Sequence, residues 1–331
     1  MTTEMQIRPL GSSTIEASVV GLGTWAIGGW MWGGTDEAES IAAIQASLDE
    51  GVSLIDTAPA YGLGRAEEIV GMAIRHRRDE VVLATKCGLV WHSQQGKHFF
   101  DYDGRPVHRH LGKESIVYEV ERSLQRLGTD RIDHYITHWQ DPTTPVEETV
   151  EALVQLRDQG KIRSIGASNV SQSELRAYAA TGVLDAIEEE YSMVKRDIET
   201  TLLPIAAEHG VSTLSYSSLA LGLLTGRMGP ERTFSGDDQR KDNPRFSLAN
   251  RVKVARLMEA IMPVAEAHAA TVAQVVIAWT VQQPGITHAL CGARSPGQAR
   301  ENAGAGRIRL STDDVTAIDN AVTAHLTDLD A

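Results

Sequence analysis

Residues 54–62 read LIDTAPAYG, and this stretch decides how the rest of the chain is read. An apolar run ends in Asp56, and Tyr61 follows past a proline-containing turn. Two further apolar runs end the same way: VVLATK at 81–86 closes on Lys86, and IDHYITH at 132–138 closes on His138. Strand-like segments thus deliver proton-active side chains at or near their carboxyl ends. In parallel α/β proteins that end of the sheet is where chemistry is done.

Outward from these runs, strand and helix alternate. The pattern predicts strands at 18–22, 53–56, 81–86, 132–138, 162–168, 186–191, 211–215 and 286–291. Helical spacing predicts helices over 36–50, 65–77, 113–127, 146–159, 199–208, 251–268, 272–282 and 312–324, with others starting at 171 and 296. Residues 5–20 read as a short hairpin, 87–112 as a long loop, and 222–244 as an irregular excursion over one face. Strands and helices joined by short connections mean a parallel sheet covered by helices. Eight strand candidates without a composition break predict an α/β fold, a (β/α)8 TIM barrel with an N-terminal hairpin, as one domain over 1–331. An open doubly wound sheet is the alternative.

The bulk numbers exclude more than they assign. The net charge of −13 leaves no basic patch for nucleic acid or anionic membrane. The cysteines, Cys87 and Cys291, stand far apart without metal-ligand spacing, which fits reduced thiols in a cytoplasmic protein. The N-terminus lacks a signal-peptide pattern, and the longest apolar stretch, 272–281, is too short to span a bilayer. His92, His98, His108 and His110 share one predicted loop, but their spacing matches no metal site.

Asp56, Tyr61, Lys86 and His138 form one candidate constellation. A phenol titrates near ~10 and is a poor acid at neutral pH. A nearby ammonium favours the phenolate and lowers that value, and a carboxylate keeps the ammonium charged and oriented. An imidazole can orient a carbonyl oxygen or share the proton. Carbonyl reduction needs such an acid as hydride reaches carbon. Each residue alone has an ordinary reading: a turn residue, a packing residue, a solvated strand end, a satisfied histidine. Their shared position at strand ends favours the joint reading. The segment 21–26, GLGTWA, fits a G-x-G-x-x-A fingerprint, but glycines follow where a helix should start, so a Rossmann site is rejected.

Six segments in order carry a resemblance: 56–71 (DTAPAYGLGRAEEIVG), 82–86 (VLATK), 133–142 (DHYITHWQDP), 160–169 (GKIRSIGASN), 216–226 (YSSLALGLLTG) and 291–305 (CGARSPGQARENAGA). Together they resemble the signatures of the aldo/keto reductase superfamily, in its bacterial inositol-operon and general-stress branch. The resemblance implies a barrel that binds NADP(H), with NAD(H) as the variant, and no Rossmann domain. It implies Tyr61 as general acid/base, Lys86 as its pKa-lowering neighbour, Asp56 as the lysine's partner and His138 as the group that polarises the carbonyl. It further implies that Ser168 and Asn169 hold the nicotinamide carboxamide and that Tyr216 stacks on its ring. Ser217, Leu219, Leu221, Gly222 and Leu224 would wrap the pyrophosphate, over a floor of Gly23, Thr24 and Trp25. Gly292 would line the cofactor wall, Arg294 and Ser295 would meet a 2′-phosphate, and Gln298 and Asn302, four apart on a helix, would reach the adenine.

The chain departs from the family pattern at Glu188, where a glutamine is usual; Glu189 and Glu190 are the alternatives for that position. A carboxylate accepts from an amide NH2 but cannot donate to its oxygen, and its charge would favour oxidised nicotinamide. Ser218 stands where proline is usual, and Ala66 where serine is. On the substrate side, Trp30, Trp32, Trp91, His92, Phe99, Tyr102 and Trp139 fall in loops that follow strands, with loop packing as their ordinary reading. The expected substrate is a small carbonyl or polyol, sugar-type carbonyls included. Reduction leads; a dehydrogenase or redox-neutral isomerase with tightly bound NADP is the second reading, and a nicotinamide-sensing regulatory subunit the third.

Overall fold

The computed structural model describes residues 4–229 and 231–326. Eight parallel strands close into a barrel. In chain order they are β1 (Val20–Gly23), β2 (Leu54–Asp56), β3 (Val82–Cys87), β4 (Ile132–Thr137), β5 (Ile162–Ser168), β6 (Ala186–Glu190), β7 (Ser212–Tyr216) and β8 (His288–Gly292). Pairing runs in sequence order and β8 closes onto β1, with Cys291 opposite Leu22 and Gly292 opposite Gly23. Helices lie between successive strands, as the alternation predicts; Lys113–Leu127 and Val272–Gln282 fall on the predicted bounds.

The barrel is filled in layers because strand side chains alternate in direction. Leu54, Ala84, Ile136, Ala186, Leu214 and Leu290, one from each of six strands, pack together in the lumen. Leu10, Ile15 and Ala17 of the N-terminal segment join them, so the hairpin of Ile7–Pro9 with Glu16–Ser18 plugs the amino-terminal mouth. Each fully buried Leu or Ile in that layer contributes roughly 1.5–3 kcal/mol. Two residues further along each strand direction the lumen faces the opposite mouth, at Asp56, Lys86, His138, Glu188, Tyr216 and Gly292.

Two expectations change. The stretch 87–112 is no simple loop. Leu89–Val90, Lys97–Tyr102 and Arg105–Arg109 form a three-stranded antiparallel sheet, with the last strand in the middle. Its tight turn is Asp103-Gly104, with φ of 51° and 70°, the left-handed pair that an Asp-Gly hairpin turn requires. The helix predicted over 199–208 is two pieces, Ile198–Thr201 and Leu203–Glu208, with Pro204 opening the second. Among the described residues no single helix is long and apolar enough to cross a bilayer.

Asp133 fastens the strands that carry the site. Its buried carboxylate accepts from Leu83 N at 3.0 Å on β3, from Arg78 at 2.7 Å and from Arg163 at 2.8 Å on β5. Asp133→Ala strands a mostly buried guanidinium and a buried amide, a change that costs about 3 kcal/mol. Urea denaturation is expected to show that loss; a change below about 0.5 kcal/mol, the size of an ordinary surface substitution, would mean that the clamp contributes nothing.

Candidate active site

Lys86 is the centre of the carboxyl-terminal mouth. It is fully buried, and its ammonium contacts the Asp56 carboxylate, donates to Thr57 O at 3.1 Å and to Tyr61 OH at 3.3 Å, and stands 3.3 Å from Glu188 Oε1. Three strands and one turn supply these groups. Tyr61 follows β2 on a turn that Gly62 (φ 69°) and Gly64 (φ 101°) bend. A Cβ on Gly62 would meet Gly28 O at 2.4 Å, so this close backbone approach requires glycine. The Tyr61 ring lies between Trp25, stacked at 6.3 Å, and the edge of His138 at 5.7 Å.

The electrostatics differ from the expectation in one respect. Burial pushes the Tyr61 phenol above its ordinary value; Lys86 pulls it down, but Asp56 and Glu188 oppose that pull, and the net shift is upward. The expected net lowering is therefore absent, because burial of the phenol, helped by the two carboxylates, outweighs the pull of the one ammonium. Burial works against the charge of Lys86 too, yet Asp56, Glu188 and Tyr61 hold its pKa above the ordinary value. Burial raises Asp56 and carries Glu188 to about 8, each against the pull of Lys86. Burial and the Lys86 charge hold His138 well below its ordinary value, so the imidazole is neutral.

A cavity of about 870 Å³ opens over this group. Asp56, Tyr61, His138, Ser168, Asn169, Glu188 and Tyr216 reach its wall, with Lys86 behind them. Tyr216 OH donates to Asn169 Oδ1 at 2.7 Å, and Asn169 Nδ2 donates to His138 O at 2.9 Å and Ser168 Oγ at 3.0 Å. Strand alternation excludes Glu189, and the ion pairs then show which of the other two glutamates faces Lys86. Glu188 points inward, Glu189 accepts from Val170 N at 2.9 Å, and Glu190 pairs with Arg245 at 2.8 Å. Glu188 Oε2 is buried and has no hydrogen-bond partner among the described residues.

Further along the cavity, Ser217, Ala220, Leu221 and Gly222 all adopt positive φ, 56°, 47°, 56° and 91°. The chain curls there into a concave wall with Leu219. Gly23, Trp25, Gly292, Arg294, Gln298 and Asn302 complete that side. Arg294 is already engaged: its guanidinium donates to Trp32 O at 2.9 Å and Gly34 O at 2.6 Å, while its amide donates to Gln298 Oε1 at 2.8 Å. Asn302 donates to Gly292 O at 3.1 Å.

Several expected residues lie off the wall. Thr24 and Leu224 are fully buried behind it, and Ser295 instead caps the helix Pro296–Ala305 by accepting from Gln298 N. Trp30, Trp32 and Trp139 line the cavity, but Trp91, His92 and Tyr102 do not. Trp91 packs on Ala60, Leu89 and Val107; His92 stacks on Tyr118 at 4.2 Å; Tyr102 backs Trp30 at 4.3 Å. Of the hairpin residues, Phe99 does line the cavity, and its neighbour Phe100, not among the expected residues, joins it on the strand that the Asp103-Gly104 turn implies. Arg227, Arg232 and Arg240 of the 222–244 segment also line the cavity. That segment is bound to the loop after β1: Asp237 accepts from Met31 N and Gly33 N, both at 3.0 Å, and Arg240 lies over Trp32 at 5.1 Å.

The fold and the site together give a closed parallel barrel with a buried Lys–Asp–Tyr group at its carboxyl-terminal mouth. The chain belongs to the aldo/keto reductase family, whose model matches residues 19–323. It is 45% identical over 297 residues to aldo-keto reductase YhdN of Bacillus subtilis (strain 168), covering 89% of this chain and 86% of that one. It is 41% identical over 314 residues to the NADH-specific methylglyoxal reductase of Escherichia coli (strain K12), covering 93% and 95%. Among solved structures, the glycerol dehydrogenase AKR11B4 from Gluconobacter oxydans matches with a TM-score of 0.86 and 36% identity over 99% of this chain and 97% of that one.

The buried carboxyls make stability depend on pH. Glu188, Glu119 and Glu189 each sit near 8 in the fold, against 4.5 ordinarily. Between those values the folded chain keeps protons that the unfolded chain has lost, so raising the pH favours unfolding. Below about pH 6.5 the buried His134, His138 and His288, held below their ordinary 6.5, work the other way, so the melting temperature is expected to fall from pH 6.5 to pH 8, and Glu188→Gln to flatten part of that fall. A wild-type profile that is flat over this window would contradict the assignment.

Proposed function

We propose that this chain, acting as one barrel unit, is an NADPH-dependent reductase of small aldehydes and ketones, with Tyr61 as general acid. The observation that carries this reading is the convergence of Tyr61, Lys86, Asp56 and His138 on one cavity long enough for both a cofactor and a carbonyl. The wall fits a nicotinamide nucleotide. The unpartnered Glu188 Oε2 is an acceptor of the kind a carboxamide NH2 needs. The left-handed residues Ser217, Ala220, Leu221 and Gly222, set among neighbours of negative φ, give a concave backbone of the kind that cradles anions. Bound there, a reduced nicotinamide supplies hydride to the carbonyl carbon.

The chain's own residues handle the proton. Tyr61 OH gives its proton to the carbonyl oxygen as charge develops on it. The phenolate left behind is stabilised by Lys86 at 3.3 Å, a charge that burial makes stronger than it would be in water. Neutral His138 offers a hydrogen bond to the same oxygen. Because the phenol's pKa is raised, Tyr61 is protonated throughout the neutral range and stands ready as an acid. The aromatic wall of Trp25, Trp30, Trp139 and Phe99 suits apolar or ring-bearing substituents on the carbonyl. The reverse reaction, oxidation of a small polyol, is a second reading, favoured by the carboxylate of Glu188 and by the likeness to a glycerol dehydrogenase. The free, buried cysteines support a reducing, cytoplasmic setting.

Tyr61→Phe is expected to lower turnover at least ~100-fold, the scale of general acid catalysis, while NADPH still quenches tryptophan fluorescence with nearly unchanged affinity. A fully active variant would sink the mechanism. Arg294→Ala distinguishes two duties of that residue. If Arg294 reads the 2′-phosphate, NADPH affinity falls roughly tenfold or more while NADH affinity changes little, since a lost charged contact to phosphate is strong. Equal losses would mean that it acts only through the loop at Trp32 and Gly34.

A further inference from the structure

The carboxyl-terminal mouth holds more acid than carbonyl reduction requires. The three hydrogens of the Lys86 ammonium are taken up by Asp56, Thr57 O and Tyr61 OH. Glu188 Oε1 is a charge neighbour at 3.3 Å outside that set, and Oε2 has no partner among the described residues although Glu188 lines the cavity. With Asp56, Lys86 and Glu188 all ionised, the group carries one net negative charge. With a proton on Glu188 it is neutral. The other titratable groups facing Glu188 are Tyr61 after β2, Tyr216 from β7, Glu189 beside it on β6 and His138 after β4. His138 is neutral and the rest are acids, so Lys86 is the cation among them.

We propose that Glu188 is a proton switch set by the oxidation state of the nicotinamide: it keeps its proton opposite the neutral reduced ring and releases it to solvent when the cationic oxidised ring occupies the cavity. The inference rests on the nicotinamide reading given above. The Glu188 O–H bond breaks and the proton passes to water; no electron moves and no bond to the cofactor forms. A positive ring beside a buried carboxyl favours its ionised form, and a neutral ring does not. Burial keeps the carboxyl largely protonated near neutrality in the free chain, so a proton is there to be released. The oxidised cofactor then binds more tightly as the pH rises, and the site favours holding it over the reduced form.

Isothermal titration of the full chain with NADP+ and, separately, with NADPH at pH 7, in buffers of contrasting protonation enthalpy, tests this. Wild type is expected to release close to one proton more with NADP+ than with NADPH, as linkage to a single group requires. The 2′-phosphate is common to both ligands and cancels in the difference. In Glu188→Gln the difference is expected to vanish. NADP+ affinity should fall roughly tenfold in that variant while NADPH affinity stays within about twofold, the scale of one partly screened charge pair. Equal proton counts in the wild type would overturn the switch and leave the nicotinamide reading intact. Failure of both cofactors to bind would overturn the reading itself. Should Glu188→Gln fail to fold, the wild-type pair of titrations decides alone.

Discussion

An ammonium group with no access to water is the constraint on which this structure depends. Lys86 is charged and fully buried, a state that a protein keeps only where opposite charge and hydrogen-bond acceptors are fixed around it. Asp56 from β2, the Thr57 carbonyl, the Tyr61 phenol and Glu188 from β6 meet that need together. Their positions follow from register. Asp56 pairs opposite Ala84 and Lys86 opposite Ile136, so each stands one side-chain layer above the apolar plug in the lumen. The geometry that keeps the lysine charged is also the geometry that places a phenol beside it.

The barrel divides its labour along the chain. Strands β2 to β4 end in the titratable group of Asp56, Lys86 and His138, and β5 to β8 end in the polar, glycine-bearing wall that runs away from them. The two halves are joined above the mouth as well as within it. Asp237 and Arg240, from the segment after β7, hold the loop after β1, and Arg294, after β8, holds the same loop through two carbonyls. The hairpin after β3 closes the other side with aromatic rings stacked on Trp30.

Most of this architecture was legible in the sequence because buried parallel strands are apolar runs, and a polar residue that ends such a run is conspicuous. Asp56, Lys86 and His138 stood out for that reason, and strand alternation carried Glu188 and Tyr216 to the same layer. What was not legible is non-local. The upward shift of the Tyr61 phenol comes first from burial and then from carboxylates on β2 and β6, so it could not be read from the Tyr–Lys pair. The partners of Arg294 lie more than 250 positions away in the chain. Trp91, His92 and Tyr102 have the residue types of a binding loop, but the hairpin turns them into packing. The Asp103-Gly104 dipeptide was the local signal for that hairpin.

The double engagement of Arg294 has a consequence for how such a barrel can diversify. Its guanidinium ties the last strand's loop to the first strand's loop across the seam where the chain's two ends meet. Replacing this arginine would remove two of the bonds that hold Trp32 and Gly34, so a change at one end of the cavity would be felt at its aromatic end. The two ends of the cavity are therefore mechanically linked, and a substitution at this position needs a new fastening for the seam if the first strand's loop is to keep its place.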